Sequence, residues 1–250
     1  MENKTHLEIL KEGVEAWNSW RSRNPSQLPD LRLADLGGAD LGTADLREAD
    51  LSEANLEKAN LHGVNLQRAD LVEANLSQAI LTRANLSESH LDDADLSGAD
   101  LSDGSLRHAD LRRADLSKTN LERTDLGRAT LSEADMTGAN LCRADLTAAD
   151  LSGAIVRSAD LSEANLSGTD LSEAILIGTY LRETYLIGAN LSGADLRNAD
   201  LRKAVLTKAN LSGANLQESD LRGADLRQAN LNGADLTDAD LRETIRDDLS

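Results

Sequence analysis

The chain has 250 residues and a net charge of −18, with no Phe, two Trp, two Tyr and one Cys. So little aromatic volume excludes an ordinary globular core of mixed side chains, and the acidity argues against direct binding to nucleic acid or to an anionic membrane surface. The single thiol excludes an internal disulfide and a cysteine metal cluster, and is typical of a reducing compartment.

Residues 1–33 are predicted to form a helix, a cap and a short linker. Thr5 and Glu8 have the spacing of a capping box, and apolar residues then recur at helical spacing at Leu7, Leu10, Val14 and Trp17. This pattern predicts one helix over about residues 6–22 that ends before Pro25. The segment lacks the long apolar run of a signal peptide or membrane span, so we expect a cytoplasmic protein without membrane association. We interpret the helix as a cap on the repeats that follow, with partner recruitment as the alternative.

A repeat of five residues dominates the rest of the sequence. From Leu36 to Leu241 every fifth position is aliphatic, which gives 42 positions, 40 of them Leu. Ala stands two residues before 33 of these positions, and the residue between is Asp 21 times and Asn 12 times. A period of five scatters the leucines around a helix and alternates them across a flat strand. The chain must therefore turn a corner in every repeat, with Ala and Leu inside and the other positions outside.

The run ADLGGADLGTADLREADLSEANL, which begins at Ala34, resembles the pentapeptide-repeat family with its motif A(D/N)LXX. The resemblance covers residues 34 to 243. It implies an all-β solenoid, a right-handed quadrilateral β-helix with four repeats in each coil of 20 residues. We assign residues 34–245 to this β-helix. At roughly 4.8 Å per layer, it is predicted to be a rod about 50 Å long.

The C-terminal end is predicted to stop at Arg246, which falls where a core leucine belongs, because a buried guanidinium without a partner is costly. Residues 246–250 are assigned as a tail, with Ile245 and Leu249 available to cover the last coil. The resemblance also implies a homodimer through the C-terminal coil, and coverage by the chain's own tail is the alternative.

Residue patterns for catalysis are lacking, so we expect no enzyme, no cofactor and no metal. Among the four histidines, His62, His90 and His108 fall at outward repeat positions without metal-ligand spacing. His90 shares a predicted column with Asp70 and Asp110, which a surface ion pair explains. Cys142 is predicted to be an exposed thiol at a turn.

Departures from the repeat give the candidate partner site. The outward middle position is apolar mainly between residues 155 and 205, and outward isoleucines lie beside these positions. A contiguous apolar patch on an otherwise polar rod is typical of a protein-binding surface, although apolar residues also stack well in sheet columns. The candidates are Ile155, Ile175, Ile177, Tyr180, Tyr185, Ile187 and Val205.

Two functions follow from these features. The first is a non-enzymatic interaction or scaffold rod that binds another protein. The second is suggested by the resemblance, because this family includes quinolone-resistance proteins that mimic duplex DNA and bind type II topoisomerases. The net charge of −18 over about 50 Å is one charge per roughly 3 Å, against about 1.7 Å for duplex DNA, so such a mimic would be diluted. The sequence therefore favours the scaffold.

Overall fold

A computed structural model describes residues 5–247. It begins with two helices, α1 (His6–Lys11) and α2 (Val14–Arg23), where the sequence predicts one. The break lies at Gly13, whose φ of 108° is a conformation that other residues rarely adopt. The predicted capping box is present, since the Glu8 amide donates to Thr5 Oγ1 and the Thr5 amide donates to Glu8 Oε2. The pattern therefore predicted where the helix starts but missed its interruption.

Residues 30–245 form a four-sided parallel β-helix. Each side is a single bridging residue, and every bridging residue pairs with the residue 20 positions later, from Asp30–Asp50 to Asp225–Ile245. The first coil begins four residues before the predicted boundary at residue 34. Leu31 is already buried there, and the Pro29 carbonyl accepts a hydrogen bond from the Asp50 amide. The A(D/N)L motif is incomplete at this point, so the repeat count missed a segment that the next coil holds in register.

The Asp or Asn in each repeat has a structural task. Its Oδ1 typically accepts a hydrogen bond from the backbone N–H two residues later, as in Asp95 to Ser97 at 2.8 Å and Asp115 to Ser117 at 2.8 Å. This is an Asx turn, which fixes the corner after each leucine. Asn residues also link coils, as in Asn60 Nδ2 to Asp40 Oδ1 at 2.8 Å. The acidic composition is thus partly a consequence of the turn.

The second residue after each leucine has a positive φ at every repeat from residue 33 to residue 243. Only 12 of these residues are glycines, and 31 are residues such as Glu48 and Arg68 with φ near 57°. A left-handed conformation costs a non-glycine residue about 1–2 kcal/mol. The corner geometry is therefore imposed by coil stacking, and the side chain at the corner is free to vary with function.

The repeat leucines and alanines form one continuous core. They are almost completely buried from Leu41 to Leu226, and the threonines that replace alanine donate to backbone carbonyls of the preceding coil, as Thr169 Oγ1 does to Leu146 O at 2.8 Å. Neither described helix is long and apolar enough to span a bilayer. The outward positions are therefore where any interaction site must lie.

Helix α2 lies against the first coil and contacts its backbone edge. Trp17 Nε1 donates to the Asp45 carbonyl at 2.8 Å, the Asp45 amide donates to Asn18 Oδ1 at 2.8 Å, and Arg21 Nη2 donates to the Arg47 carbonyl at 2.9 Å. In later coils a neighbouring strand supplies the equivalent bonds. Side chains of α2 thus take the place of a preceding strand on this side of the rod.

The C-terminal coil is more open. Leu231, Leu236 and Leu241 are only partly buried, and Ile245 is 49% exposed. Arg246 is exposed, so the chain leaves the core at the position that the sequence indicated. The tail residue Leu249 lies outside the described residues.

Candidate interaction surfaces

The β-helix presents four faces, each a stack of repeats 20 residues apart. Face 1 contains the repeats centred on Leu36 and its successors, face 2 those centred on Leu41, face 3 those centred on Leu46, and face 4 those centred on Leu31 and Leu51. Each repeat contributes three outward side chains: the residue before the leucine and the two after it. Faces 1 and 3 lie on opposite sides of the rod, as do faces 2 and 4.

The structure distributes the predicted partner-site residues over three faces. Ile155 stacks on Ile175 on face 1, and Tyr185 stacks on Val205 on face 3, as the 20-residue spacing predicted. Ile177 is also on face 1, Ile187 is on face 3, and Tyr180 is on face 2. Because faces 1 and 3 point in opposite directions, the seven residues form a band around the rod instead of the single contiguous patch that the sequence analysis expected.

Three members of the band form a compact group, which we call the corner cluster: Tyr180, Tyr185 and Ile187. They lie on one coil around the corner between faces 2 and 3 and are 53%, 49% and 43% exposed. Ile155, Ile175, Ile177 and Val205 are only half-buried and lie flatter in the sheet columns. Neither tyrosine hydroxyl has a hydrogen-bond partner within residues 5–247. The corner cluster is the part of the band that a partner can reach on one side.

A shallow groove of about 390 Å³ lies beside Tyr185. Its other walls include Arg143, Asp145 and Glu163, and Arg143 Nε donates to Glu163 Oε2 at 2.9 Å. This ion pair holds the pKa of Glu163 below its usual range, so the carboxylate is charged at neutral pH. An aromatic ring beside a paired Arg and Glu offers a partner both apolar contact and hydrogen bonds.

The negative charge is unevenly distributed over the faces. Face 4 carries twelve carboxylates against three arginines, a net charge of −9, which is half of the total of −18. Sequence reasoning found the total but missed the segregation, which becomes visible only when the repeats are sorted into four columns. The carboxylates are those of Asp30, Asp50, Glu53, Asp70, Glu73, Asp92, Asp93, Asp110, Glu133, Asp150, Asp170 and Glu173.

One group on face 4 has the residue types of a metal site. Ligand atoms of His90, Asp92 and Asp110 lie within 4.8 Å of one another. Arg112 Nη2 is 2.7 Å from a carboxylate oxygen of Asp92 and 2.7 Å from one of Asp110, so a guanidinium already pairs both carboxylates. His90 stacks between Asp70 and Asp110 as predicted, but Arg112 and not His90 pairs with Asp110.

Cys142 is half-buried, where the sequence predicted an exposed thiol. Burial raises the pKa of this thiol, which keeps it protonated and poorly nucleophilic at neutral pH.

Face 2 holds a feature that the sequence analysis missed. Arginines occupy the position after the leucine in four successive coils, at Arg182, Arg202, Arg222 and Arg242. A groove of about 530 Å³ runs beside them and is lined by Arg182, Arg202, Lys203, Arg222, Gly223, Arg242 and Glu243. The signal was available as a period of 20 in arginine, which a search at the period of five does not separate.

The family model for pentapeptide repeats matches eight copies, in segments that extend from residue 30 to residue 245. The chain belongs to the pentapeptide-repeat family. This pentapeptide-repeat protein is similar to HetL, a pentapeptide repeat protein involved in heterocyst differentiation regulation from the cyanobacterium Nostoc sp. strain PCC 7120. The identity is 36% over 93% of this chain and 97% of HetL, with a TM-score of 0.46.

Two further solved structures are similar over smaller parts of the chain. A form of QnrB1, a plasmid-mediated fluoroquinolone resistance protein, is 21% identical over 72% of this chain and 86% of its own, with a TM-score of 0.36. Rfr23 from the cyanobacterium Cyanothece 51142 is 33% identical over 47% of this chain and 64% of its own, with a TM-score of 0.17. No curated protein sequence matches this pentapeptide-repeat protein significantly.

Proposed function

We propose that this protein is a non-enzymatic scaffold rod that binds another protein through the corner cluster. The observation that carries the proposal is the exposure of Tyr180, Tyr185 and Ile187 on one coil of a rod whose outward middle positions are otherwise mostly polar. Aromatic residues are enriched at the centres of protein interfaces because they bury a large area at a small cost in conformational entropy.

The rigidity of the scaffold supports this assignment. Each described coil is held to the next by backbone hydrogen bonds on its four sides, with N···O distances of about 2.6–3.1 Å. The side chains of the corner cluster therefore keep fixed positions relative to the groove beside Tyr185. A partner surface with apolar side chains for the cluster and polar groups for Arg143 and Glu163 fits this arrangement.

The second candidate is a mimic of duplex DNA that binds a type II topoisomerase such as gyrase and protects or inhibits it. Its supporting observation is face 4, whose net charge of −9 gives the rod one strongly acidic side. Against it, Oδ1 atoms of Asp50, Asp150 and Asp170 accept backbone hydrogen bonds in Asx turns, which accounts for these residues without a partner. We therefore place the scaffold first.

Salt dependence separates the two functions. Partners would be captured from the native host on immobilised wild-type protein, identified by mass spectrometry, and then titrated in purified form against increasing salt. Binding that survives moderate salt and falls at least tenfold in Tyr180→Ala/Tyr185→Ala supports the scaffold, because buried aromatic anchors contribute about 2 kcal/mol or more each. The matched control is Ile80→Ala, an exposed apolar residue on face 2 outside the band.

The mimic would behave in the opposite way. Its binding to purified gyrase would weaken steeply with salt, would not change in the tyrosine variant, and would fall in a variant that replaces Glu53, Glu73 and Glu133 on face 4 by Gln. This result would overturn the scaffold assignment. Loss of binding in the Ile80 control as well as in the tyrosine variant would also contradict a site at the corner cluster.

We also propose self-association through the C-terminal coil. The half-buried Leu236 and Leu241 support it, because their backbone N–H groups have no hydrogen-bond partner among residues 5–247. A second copy that meets this end would cover both the leucine side chains and the strand edge.

A further inference from the structure

The arginine column on face 2 is built from repeated ion pairs. Arg202 donates from Nε and Nη2 to Asp200 at 2.7 and 2.5 Å, and Arg222 does the same to Asp220 at 2.9 and 2.6 Å. Arg242 has the same bidentate contact with Asp240. A bidentate contact fixes both the position and the plane of a guanidinium. The column is therefore a set of oriented groups and not of free surface side chains.

These ion pairs leave donors unused. A guanidinium has five N–H groups, and a bidentate contact with one carboxylate uses two of them. The remaining groups of Arg202, Arg222 and Arg242 are available beside the groove, since the paired aspartates do not line it. Arg182 differs because Tyr180 stands where the others have an aspartate, and its only charged contact is Glu183 at 3.7 Å. It is the least neutralised cation of the column.

The groove has the size and shape for a short linear ligand. It runs along four stacked coils, a length of about 14 Å at roughly 4.8 Å per layer. Its lining contains five cationic side chains and one carboxylate, Glu243, and Gly223 leaves the middle of the corner column without a side chain. Its volume of about 530 Å³ is within the range of small-molecule sites. With the carboxylates around it the region is neutral, on a rod that is acidic overall.

We propose that this groove binds a small polyanion with consecutive phosphoryl groups. The planar fork of arginine matches the oxygens of a phosphoryl group, and stacked guanidiniums meet successive groups of one linear ligand. The lining has no apolar pocket for the side chains of a peptide, which favours a compact phosphate chain over an acidic protein segment. Because the surroundings are neutral, binding depends on directed N–H donors more than on net charge.

The test uses the full-length protein and isothermal titration calorimetry with sodium tripolyphosphate at constant ionic strength. We expect saturable binding at about 1 mM ligand or below, and a loss of roughly tenfold or more in Arg222→Gln, because a charged hydrogen-bonding group contributes about 1.5–3 kcal/mol. The matched control is Arg197→Gln. Arg197 makes the same bidentate contact with Asp195, but its column neighbours on face 1 are Ile177 and Gln217.

A second variant leaves every arginine in place. Gly223→Glu puts a carboxylate into the floor of the groove, and the corner tolerates it because Glu183 and Glu243 have the same positive φ in this column. We expect this variant to abolish binding while its circular dichroism and thermal midpoint stay those of a folded rod. Gly213→Glu on face 4 is its control and is expected to bind normally.

Related ligands define the specificity. Inorganic phosphate is expected to bind at least tenfold more weakly than tripolyphosphate. ATP that binds as tightly as tripolyphosphate, or more tightly, assigns a nucleotide as the source of the phosphoryl groups, and weaker ATP assigns an inorganic oligophosphate. No saturable binding at about 1 mM, equal binding of phosphate and tripolyphosphate, or an equal loss in Arg197→Gln would each overturn the proposal.

Discussion

The two ends of the rod solve the same problem differently. At the N-terminal end, Trp17, Asn18 and Arg21 of α2 bond to backbone groups of the first coil that no strand reaches, and Trp17 is completely buried. At the C-terminal end, Leu236 and Leu241 remain partly exposed, and their N–H groups have no partner in residues 5–247. A solenoid coil is stable only when both of its neighbours are present. The comparison teaches that an end can be closed by side chains of a helix, and that an end without them stays available for association.

Removing the N-terminal helices would test this comparison most severely. We expect deletion of residues 1–24 to leave the central coils folded but to convert the protein to concentration-dependent oligomers, because the edge at Asp45 and the core beside it become accessible. Light scattering and analytical ultracentrifugation would measure the change. Placing Lys at both Leu236 and Leu241 is the counterpart at the other end and should reduce association there. A deleted protein that stays monomeric would contradict the role of α2 as an edge cover and would favour partner recruitment.

The interior and the open end should differ in sensitivity to the same substitution. Leu141 is completely buried, so Leu141→Ala is expected to lower the free energy of unfolding by about 2–5 kcal/mol through lost transfer free energy and a cavity. Leu241→Ala at the partly buried last coil should cost less than about 2 kcal/mol, because its side chain is already in contact with water and the site can relax. Urea unfolding followed by circular dichroism gives both values. Equal losses would show that the last coil is covered in solution.

Replacing one hydrogen bond tests the helix-for-strand exchange itself. Trp17→Phe removes the donor to the Asp45 carbonyl and keeps an aromatic ring, so it should destabilise the first coil by about 1–3 kcal/mol. Hydrogen exchange of amides in residues 44–49 would report this local loss. Trp20→Phe is the control, because Trp20 packs on Trp17 with ring centroids 5.0 Å apart and its indole makes no hydrogen bond. A larger effect of the control would mean that stacking, and not edge bonding, holds the helix.

Acid should affect both ends in the same direction but weakly. The hydrogen bond and charge of Arg242 hold the pKa of Asp240 at about 2, below its ordinary value of 3.8, and Arg47 lowers the pKa of Asp45. A lowered carboxyl pKa gives stability that is present above the unfolded value near pH 4 and is lost as the pH falls through the folded value. The stability difference between wild type and Arg242→Gln should therefore shrink from pH 4 to pH 2. A difference that grows over this interval would reverse the assigned sign.

The period of five by itself determined the solenoid, its buried leucines and alanines, and its outward aspartates. A leucine every fifth residue is incompatible with one face of a helix or a flat strand, and the order of the chain then fixes which side chains lie in the core. The capping box at Thr5 was equally local and therefore predictable. Local chemistry was sufficient wherever a residue acts on its own repeat.

The tertiary structure decided what depends on stacking and on corners. The break at Gly13, the start of the first coil at Asp30 and the contacts of Trp17 with Asp45 need the partner segment in place before they can be read. Sorting into faces separated Ile155 from Tyr185 and concentrated half of the negative charge on face 4. The same sorting aligned the four arginines beside one groove. The physical reason is that neighbours in this fold are 20 residues apart in the chain, so each surface is assembled across coils and is invisible within any single repeat.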